Sequence, residues 1–365
     1  MGDAAKQIEE WTGEPRLAEM LHHHYGLRLI EAEPRGGVFC LTTDRGHYAL
    51  KRVREREEMR WSLVEQVAQH LSETGEIRIQ APLKNRRGKL TFAGLKNRFV
   101  LLPWIEAEVK DWRKDAACWP RVARALARFH IDTRGFHPHR SATSYTHTGK
   151  WEKIWGQMEQ SLTMFKMAAD ISDQLTPVDR VWIRQCTFAE GMVDTALRYL
   201  KRVGGDAVVS ASRKSGEVCH CNLHRKNVLW DRHGGVHFID WNCITLDVRS
   251  RDLARLSLYA YGRTGRSEAV FALLKGYQEI APLDEAEYGL IYAQLLFPHQ
   301  LIHSLHQIYQ EQKVPSHLAK GYLSSTVERE ELKSGLLRDF PAQVKAVFGV
   351  SIPRVDWLDS EGSGQ

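Results

Sequence analysis

Residues able to carry proton or ligand chemistry crowd into one segment, VCHCNLHRKNVLW at 218–230, where Cys219, His220, Cys221 and His224 fall within six positions. Thiols and imidazoles at this density raise zinc ligation. A structural zinc site, however, takes one ligand pair and then a second pair at a distance. Neighbouring side chains of an extended segment point to opposite sides, so His220 would not join Cys219 and Cys221 on one face. Each cysteine also reads as a small buried hydrophobe, the common state of a free thiol.

Phosphoryl transfer is the second chemistry. It needs few parts, because positioning and charge neutralisation do most of the work. A loop carboxylate takes the acceptor's proton, an Asn five residues later holds magnesium, and an Asp beyond a short hairpin also holds magnesium. A strand Lys binds the nucleotide phosphates, and a helix Glu fixes that Lys. Here His220-Cys221-Asn222 opens such a loop. Asn227 lies five residues after Asn222, and Asp240 lies thirteen after Asn227. Val228–Trp230 and Val236–Ile239 read as the two hairpin strands, with Arg232–Gly235 as the turn.

The elements that would position these groups are legible upstream. LRLIEAE, VFCLTT and HYALKRV read as three short strands, separated by Gly36-Gly37 and by Asp44-Arg45-Gly46. Lys51 lies on the third strand, and the Gly36-Gly37 turn is where backbone amides could approach phosphate. A helix follows from about Glu55 to Thr74, with Leu63, Val67 and Leu71 as an apolar stripe. Glu65 is the expected partner of Lys51, with Glu57 and Glu58 as rivals and a solvated helix Glu as the plain alternative. Two more strands are expected near 90–93 and 98–102. They end in LLPWIE, where Trp104 and Ile105 occupy the hinge position beside the nucleotide. The rest reads as mainly helical, with breaks at Pro177 and Pro298. Residues 1–25 read as helical, and His22–His24 as a solvated helix end. The expected class is therefore α+β, with two lobes. Residues 1–104 form a nucleotide-binding lobe with a small antiparallel sheet and one main helix. Residues 105–353 form a helical lobe carrying the catalytic-loop hairpin, and 354–365 a disordered tail.

Composition bounds the alternatives. The 365 residues carry a net charge of +6, with 51 Lys and Arg against 45 Asp and Glu and no dense basic arm, so nucleic acid is not an expected partner. Six cysteines show no regular framework and read as reduced thiols. MGDAAKQIEEW has no basic-then-apolar signal segment, and no apolar run is long enough to span a membrane, so cytoplasmic synthesis is expected.

The ordered set YALKRV, FVLLPWIEAEV, ALARFHIDTRGF, VCHCNLHRKNVL and HFIDWNCITLDVRSRDLARL, within about residues 27–260, resembles the aminoglycoside-phosphotransferase-like branch of the kinase fold. In particular it resembles the CotS-like spore coat proteins of endospore-forming bacteria. The resemblance implies ATP and Mg2+ as cofactors, a spore coat location, other coat proteins as partners and a kinase activity often unproven. It also implies that His224 faces the site; a solvated loop His is the equal alternative. One departure stands out. The superfamily begins the loop His-Gly-Asp, whereas this chain has His220-Cys221-Asn222. An amide cannot accept a proton as a carboxylate does. His220 then reads as a residue that fixes the loop through backbone hydrogen bonds. Asp252 reads as a helix cap that also ties down the loop, with Arg249 and Arg251 pairing with it or exposed.

Three functions compete at this stage: a coat component with the kinase fold and impaired catalysis; an active small-molecule phosphotransferase acting on a sugar, amino alcohol or aminoglycoside; and a basic protein that binds polyanions. Trp151, Trp155 and Met158, at helical spacing, read as core or interface rather than a substrate cage.

Overall fold

The computed structural model describes residues 3–54, 57–74 and 79–360. The chain divides into two compact units whose segments interleave, unlike a single cut at 104/105.

The first unit comprises residues 1–110, 132–146 and 225–245. It opens with helices α1 (Asp3–Thr12) and α2 (Leu17–Tyr25). A five-stranded antiparallel sheet follows, in the order β1-β2-β3-β5-β4. Its strands are β1 (Leu29–Arg35), β2 (Val38–Thr43), β3 (Gly46–Val53), β4 (Thr91–Ala93) and β5 (Arg98–Pro103). Arg35 pairs with Val38, so Gly36 and Gly37 alone make the first turn. Their φ values are 56° and 98°. Two-residue hairpin turns with both φ positive match the right-handed twist of the strands, and glycine adopts them without steric cost.

Helix α3 (Glu58–Thr74) buries Leu63, Val67 and Leu71 completely, together with Trp61 and Val64. The expected start at Glu55 lies outside the described residues. A core of Leu17, Leu21, Leu41, Leu50, Phe92, Phe99 and Leu101 joins α2 to the sheet. Glu14, fully buried, locks the N-terminal helices to the β4–β5 turn. Its carboxylate accepts the Leu95 N–H at 2.6 Å, the Lys96 N–H at 2.8 Å and the Asn97 amide at 2.7 Å.

The second unit comprises residues 111–131, 147–224 and 246–365 and is helical. Its helices are α4 (Cys118–Asp132, through Ile131), α5 (Trp151–Asp170), α6 (Pro177–Val203), α7 (Asp206–Ser215), α8 (Ser250–Thr264), α9 (Ser267–Gln278), α10 (Glu285–Leu296), α11 (His299–Leu305), α12 (Ser316–Phe348) and α13 (Asp356–Ser360). Pro177 sits in the first turn of α6 behind a Thr176–Asp179 capping box, and Pro298 separates α10 from α11. Trp151 and Trp155 are core residues. The expectation of a disordered tail from 354 fails for 356–360. These residues are helical, Leu358 is buried, and the Trp357 indole donates to Thr195 Oγ1 at 3.3 Å. The buried side chains of Ile352 and Leu358 anchor this segment. Residues 361–365 lie outside the described residues. No helix among those described is long and apolar enough to cross a membrane.

Candidate active site

In the first unit the site is built on β3 and on the hairpin Val228–Trp230/Val236–Phe238. Alternation along β3 buries Leu50 in the core and turns Lys51 to the other face. The Lys51 ammonium pairs with the Asp240 carboxylate and lies 5.7 Å from the centre of the Trp61 ring. The two side chains are 13% and 31% exposed, so the pair is shielded on the Lys side and open on the Asp side.

Asn227 and Asp240 come together through hairpin register. Val228 faces Phe238, and the ladder continues with the Ile239 N–H donating to the Asn227 carbonyl at 3.0 Å. Both expected metal ligands therefore sit at the open end of the hairpin. Asp240 is left-handed, with φ 65° and ψ 57°. A non-glycine residue pays about 1–2 kcal/mol for that conformation, and such strain concentrates where a side chain must be aimed. The Trp241 indole donates to the Phe238 carbonyl at 2.9 Å, and the Arg60 guanidinium donates to the Asn242 carbonyl, tying α3 to the turn after Asp240.

Fit to a divalent cation can be judged from the donor set. Asp240 and Asn227 offer only hard oxygens, and the buried Asn242 Oδ1 two residues on has no hydrogen-bond partner among the described residues. Oxygen-only donors suit Mg2+.

The expected Glu65 partner needs correcting. Lys51 pairs with Asp240, whereas Glu65 pairs with Lys84. The cause is the rotational phase of α3, which brings Trp61 to Lys51 and leaves Glu65 beside the segment before β4. Of the rivals, Glu58 binds Thr91 and Arg98, and Glu57 accepts the Arg54 N–H. Trp104 and Ile105 follow β5 and are partly exposed; the Trp104 N–H donates to the His47 carbonyl at 3.1 Å. Gly36 and Gly37 are exposed at the β1–β2 turn.

Sequence reasoning missed two features of this unit. The hinge segment pairs with the hairpin through reciprocal Glu108–Trp230 backbone bonds of 3.0 and 2.8 Å. Asp231 closes the hairpin turn. Its carboxylate accepts the His233 N–H at 2.8 Å, the Gly235 N–H at 2.7 Å and His237 Nε2 at 2.9 Å. The His237 hydrogen bond, followed by the Gly235 N–H, holds its pKa at about 2. An Asp four residues before a Gly was the available signal.

In the second unit, the loop holding His220, Cys221 and Asn222 hangs on Asp252, in the first turn of α8. Asp252 accepts the His220 N–H and the Cys221 N–H at 2.7 Å each, and His130 Nε2 lies 3.2 Å away. His130 Nδ1 is in turn 2.7 Å from the Tyr277 hydroxyl. Burial pushes the Asp252 carboxyl up, but the His130 hydrogen bond, the charges of His130 and His220 and the Cys221 N–H outweigh it, so its pKa lies below the ordinary value. Asp252 thus ties down the loop, while the position before α8 belongs to Arg249.

His220 is fully buried, and its Nδ1 accepts the Asn222 N–H at 3.2 Å. Cys221 has φ 62°, a conformation natural to the glycine expected there from the resemblance. Asn222 and His224 are partly exposed; the His224 ring lies 6.2 Å from that of Tyr259. Arg249 and Arg251 do not pair with Asp252: Arg249 makes a bidentate pair with Glu287, and Arg251 binds Asp247.

The zinc alternative acquires a different geometry. His130, Cys219 and Asp252 bring ligand atoms within 4.8 Å of one another, rather than Cys219, Cys221 and His224. Their donors and acceptors are already engaged, and the Cys219 thiol lies 3.4 Å from the carbonyls of Asp247 and Val248. Burial drives that thiol's pKa well up, against thiolate formation.

The comparisons with known proteins agree with this architecture. The chain is 23% identical over 315 residues to spore coat protein S of Bacillus subtilis (strain 168), covering 85% of this chain and 88% of that protein. It is similar in fold to an aminoglycoside phosphotransferase from Alicyclobacillus acidocaldarius, with TM-score 0.72, 17% identity and coverage of 91% and 97%. An AMP-bound spectinomycin phosphotransferase, APH(9)-Ia, gives TM-score 0.63, 18% identity and coverage of 87% and 97%. A microcompartment-associated aminopropanol kinase gives 0.52, 13% identity and coverage of 90% and 97%. These likenesses establish the kinase-like α+β fold. A family model described as "Spore coat putative kinase YutH" matches residues 18–340, most of the sequence, and the chain belongs to that spore coat kinase-like family.

Proposed function

We propose that this chain is a spore coat component that binds Mg-ATP in a kinase-type pocket and transfers phosphate poorly. Lys51 binds the nucleotide phosphates. Asn227 and Asp240 hold magnesium, which when bound neutralises charge on the phosphate oxygens. Gly36 and Gly37 approach the phosphates through backbone N–H groups, and Trp104 and Ile105 flank the base. Asn222 occupies the seat of the proton acceptor, where its amide positions an acceptor hydroxyl but cannot take its proton. His220 fixes the loop backbone, and His224 borders the acceptor side. The coat location and coat partners rest on the family and on the relative from Bacillus subtilis.

The observation carrying this reading is the Lys51–Asp240 ion pair, with Asn227 at the same hairpin end. It keeps the phosphate-binding and metal-binding groups of a kinase in a chain whose residue 222 is an amide.

An active small-molecule phosphotransferase is the second reading, favoured by the likeness to an APH(9)-Ia structure holding ADP and spectinomycin, with TM-score 0.58. Incubation with ATP, magnesium and a panel of alcohols and amino alcohols separates the two. General-base help is worth about 10²–10⁴-fold, so Asn222→Asp is expected to raise ADP formation by roughly that factor. Wild-type turnover equal to or above that of Asn222→Asp, and abolished in Asp240→Ala, would favour the second reading.

A further inference from the structure

Arg255 is a cation in want of a carboxylate. It lies on α8, partly exposed, and its guanidinium donates to the Cys221 carbonyl, the residue before Asn222. Its cationic neighbours are compensated: Arg251 pairs with Asp247, and Lys333 with Glu330. Arg255 makes no salt bridge among the described residues. A half-buried charge without a counter-ion is costly, and the cost is tolerated where the charge meets a ligand.

The surroundings carry the same sign. His299 is partly exposed; desolvation first, then Arg255, Arg251 and Lys333, hold its pKa well below the ordinary value. Burial also lowers His303, against an opposing pull from Glu311, with the charges of His306, Lys313 and, least, Arg255 adding to the shift. Two carboxylates beside the loop are already engaged. Asp252 is consumed by two backbone N–H groups and His130, and Asp247 by the Trp151 indole, Arg251 and the Val248 N–H. One turn beyond Arg255, on the same face of α8, Tyr259 forms a partly exposed aromatic wall with Trp112 at 5.7 Å and His224 at 6.2 Å.

We infer that the acceptor side of the Asn222 loop recognises a hydroxyl compound bearing an oxyanion, phosphate or carboxylate, with Arg255 as its specificity-determining residue. This rests on the phosphotransfer reading of the loop. A polycationic aminoglycoside is the wrong partner for this surface. A guanidinium with free N–H groups matches the paired oxygens of carboxylate or phosphate.

The test uses the full chain without nucleotide, titrated calorimetrically with four hexoses of similar size: glucose 6-phosphate, glucuronate, glucose and glucosamine. The anionic pair is expected to bind at least about tenfold more tightly than the other two, since each charge-assisted contact is worth roughly that much. The two anions distinguish phosphate from carboxylate. Arg255→Gln, whose amide can still donate to the Cys221 carbonyl, should erase the preference, and Arg255→Lys should keep most of it. Equal or tighter binding of glucosamine, absence of binding by all four, or an unchanged preference in Arg255→Gln overturns the inference. So does a loss of Mg-ATP affinity in Arg255→Gln with hexose binding unchanged, which would give Arg255 to the nucleotide. Separate titration of Mg-ATP keeps the readings apart: its failure to bind sinks the nucleotide pocket, while an Arg255-dependent anion preference would stand.

Discussion

Replacing Asp252 with Asn tests how the loop is held. The substitution keeps the shape of the side chain but turns one oxygen into an NH2 group. In the wild type, Oδ1 accepts the Cys221 N–H and Oδ2 the His220 N–H, each at 2.7 Å, inside a fully buried site. An amide can serve only one of these donors, and its own NH2 then faces the other. Leaving a buried donor unsatisfied costs about 1–3 kcal/mol, and the remaining bond loses its charge assistance, roughly another 1 kcal/mol. The expected loss is about 2–4 kcal/mol. At about 2–4 °C per kcal/mol for a domain of this size class, the melting temperature should fall by roughly 5–15 °C. Urea denaturation gives the free energy directly, with Asp194→Asn as control; Asp194 pairs with Arg198 at the surface, and its loss should stay within ~0.5 kcal/mol. The sign with pH follows from the depressed pKa. A carboxylate lowered from 3.8 stabilises the fold above that value, and the contribution is lost as pH falls through the folded pKa. The gap between wild type and Asp252→Asn should therefore be flat from pH 7 to about 4 and narrow below. A loss under about 1 kcal/mol at pH 7, or a gap that widens in acid, would refute this account of the anchor.

Glu287→Gln should cost about 3–5 kcal/mol in urea, because it strands the Arg249 guanidinium, 8% exposed, whose Nε and Nη2 sit 2.6 and 2.9 Å from the Glu287 oxygens; replacing both by Met should cost much less. Gly276→Ala in α9 should destabilise by about 1–3 kcal/mol despite alanine's better helix propensity, since its Cβ would stand 2.5 Å from the Pro120 carbonyl; a stabilised variant would contradict that packing. Asp231 should titrate at about 2 by carboxyl NMR, and His237→Phe should return it toward 3.8.

What was legible in the sequence was local. Strand alternation, the Gly36-Gly37 turn and the Leu63/Val67/Leu71 stripe depend on neighbours a few residues apart, and the hairpin brings Asn227 and Asp240 together by register alone. What escaped was long-range pairing. Glu14 meets residues 95–97, Arg249 meets Glu287, and His130 meets Asp252, each partner fixed by tertiary packing that no periodicity encodes. Glu65 shows the limit within one helix. The stripe fixed which side of α3 is buried, but not which neighbour an adjacent Glu would reach, and that proved to be Lys84. The anchoring role of Asp252 was readable because it lies just past the loop in a recurring order; its geometry, in the first helical turn rather than at the cap, was not.

Calorimetric titration of Mg-ATP into the wild-type chain tests most directly whether Lys51, Asn227 and Asp240 still form a working nucleotide pocket. Saturable one-to-one binding that requires magnesium and disappears in Asp240→Ala and Lys51→Ala is the predicted result. Absence of heat at millimolar Mg-ATP, or binding indifferent to both substitutions, would contradict it.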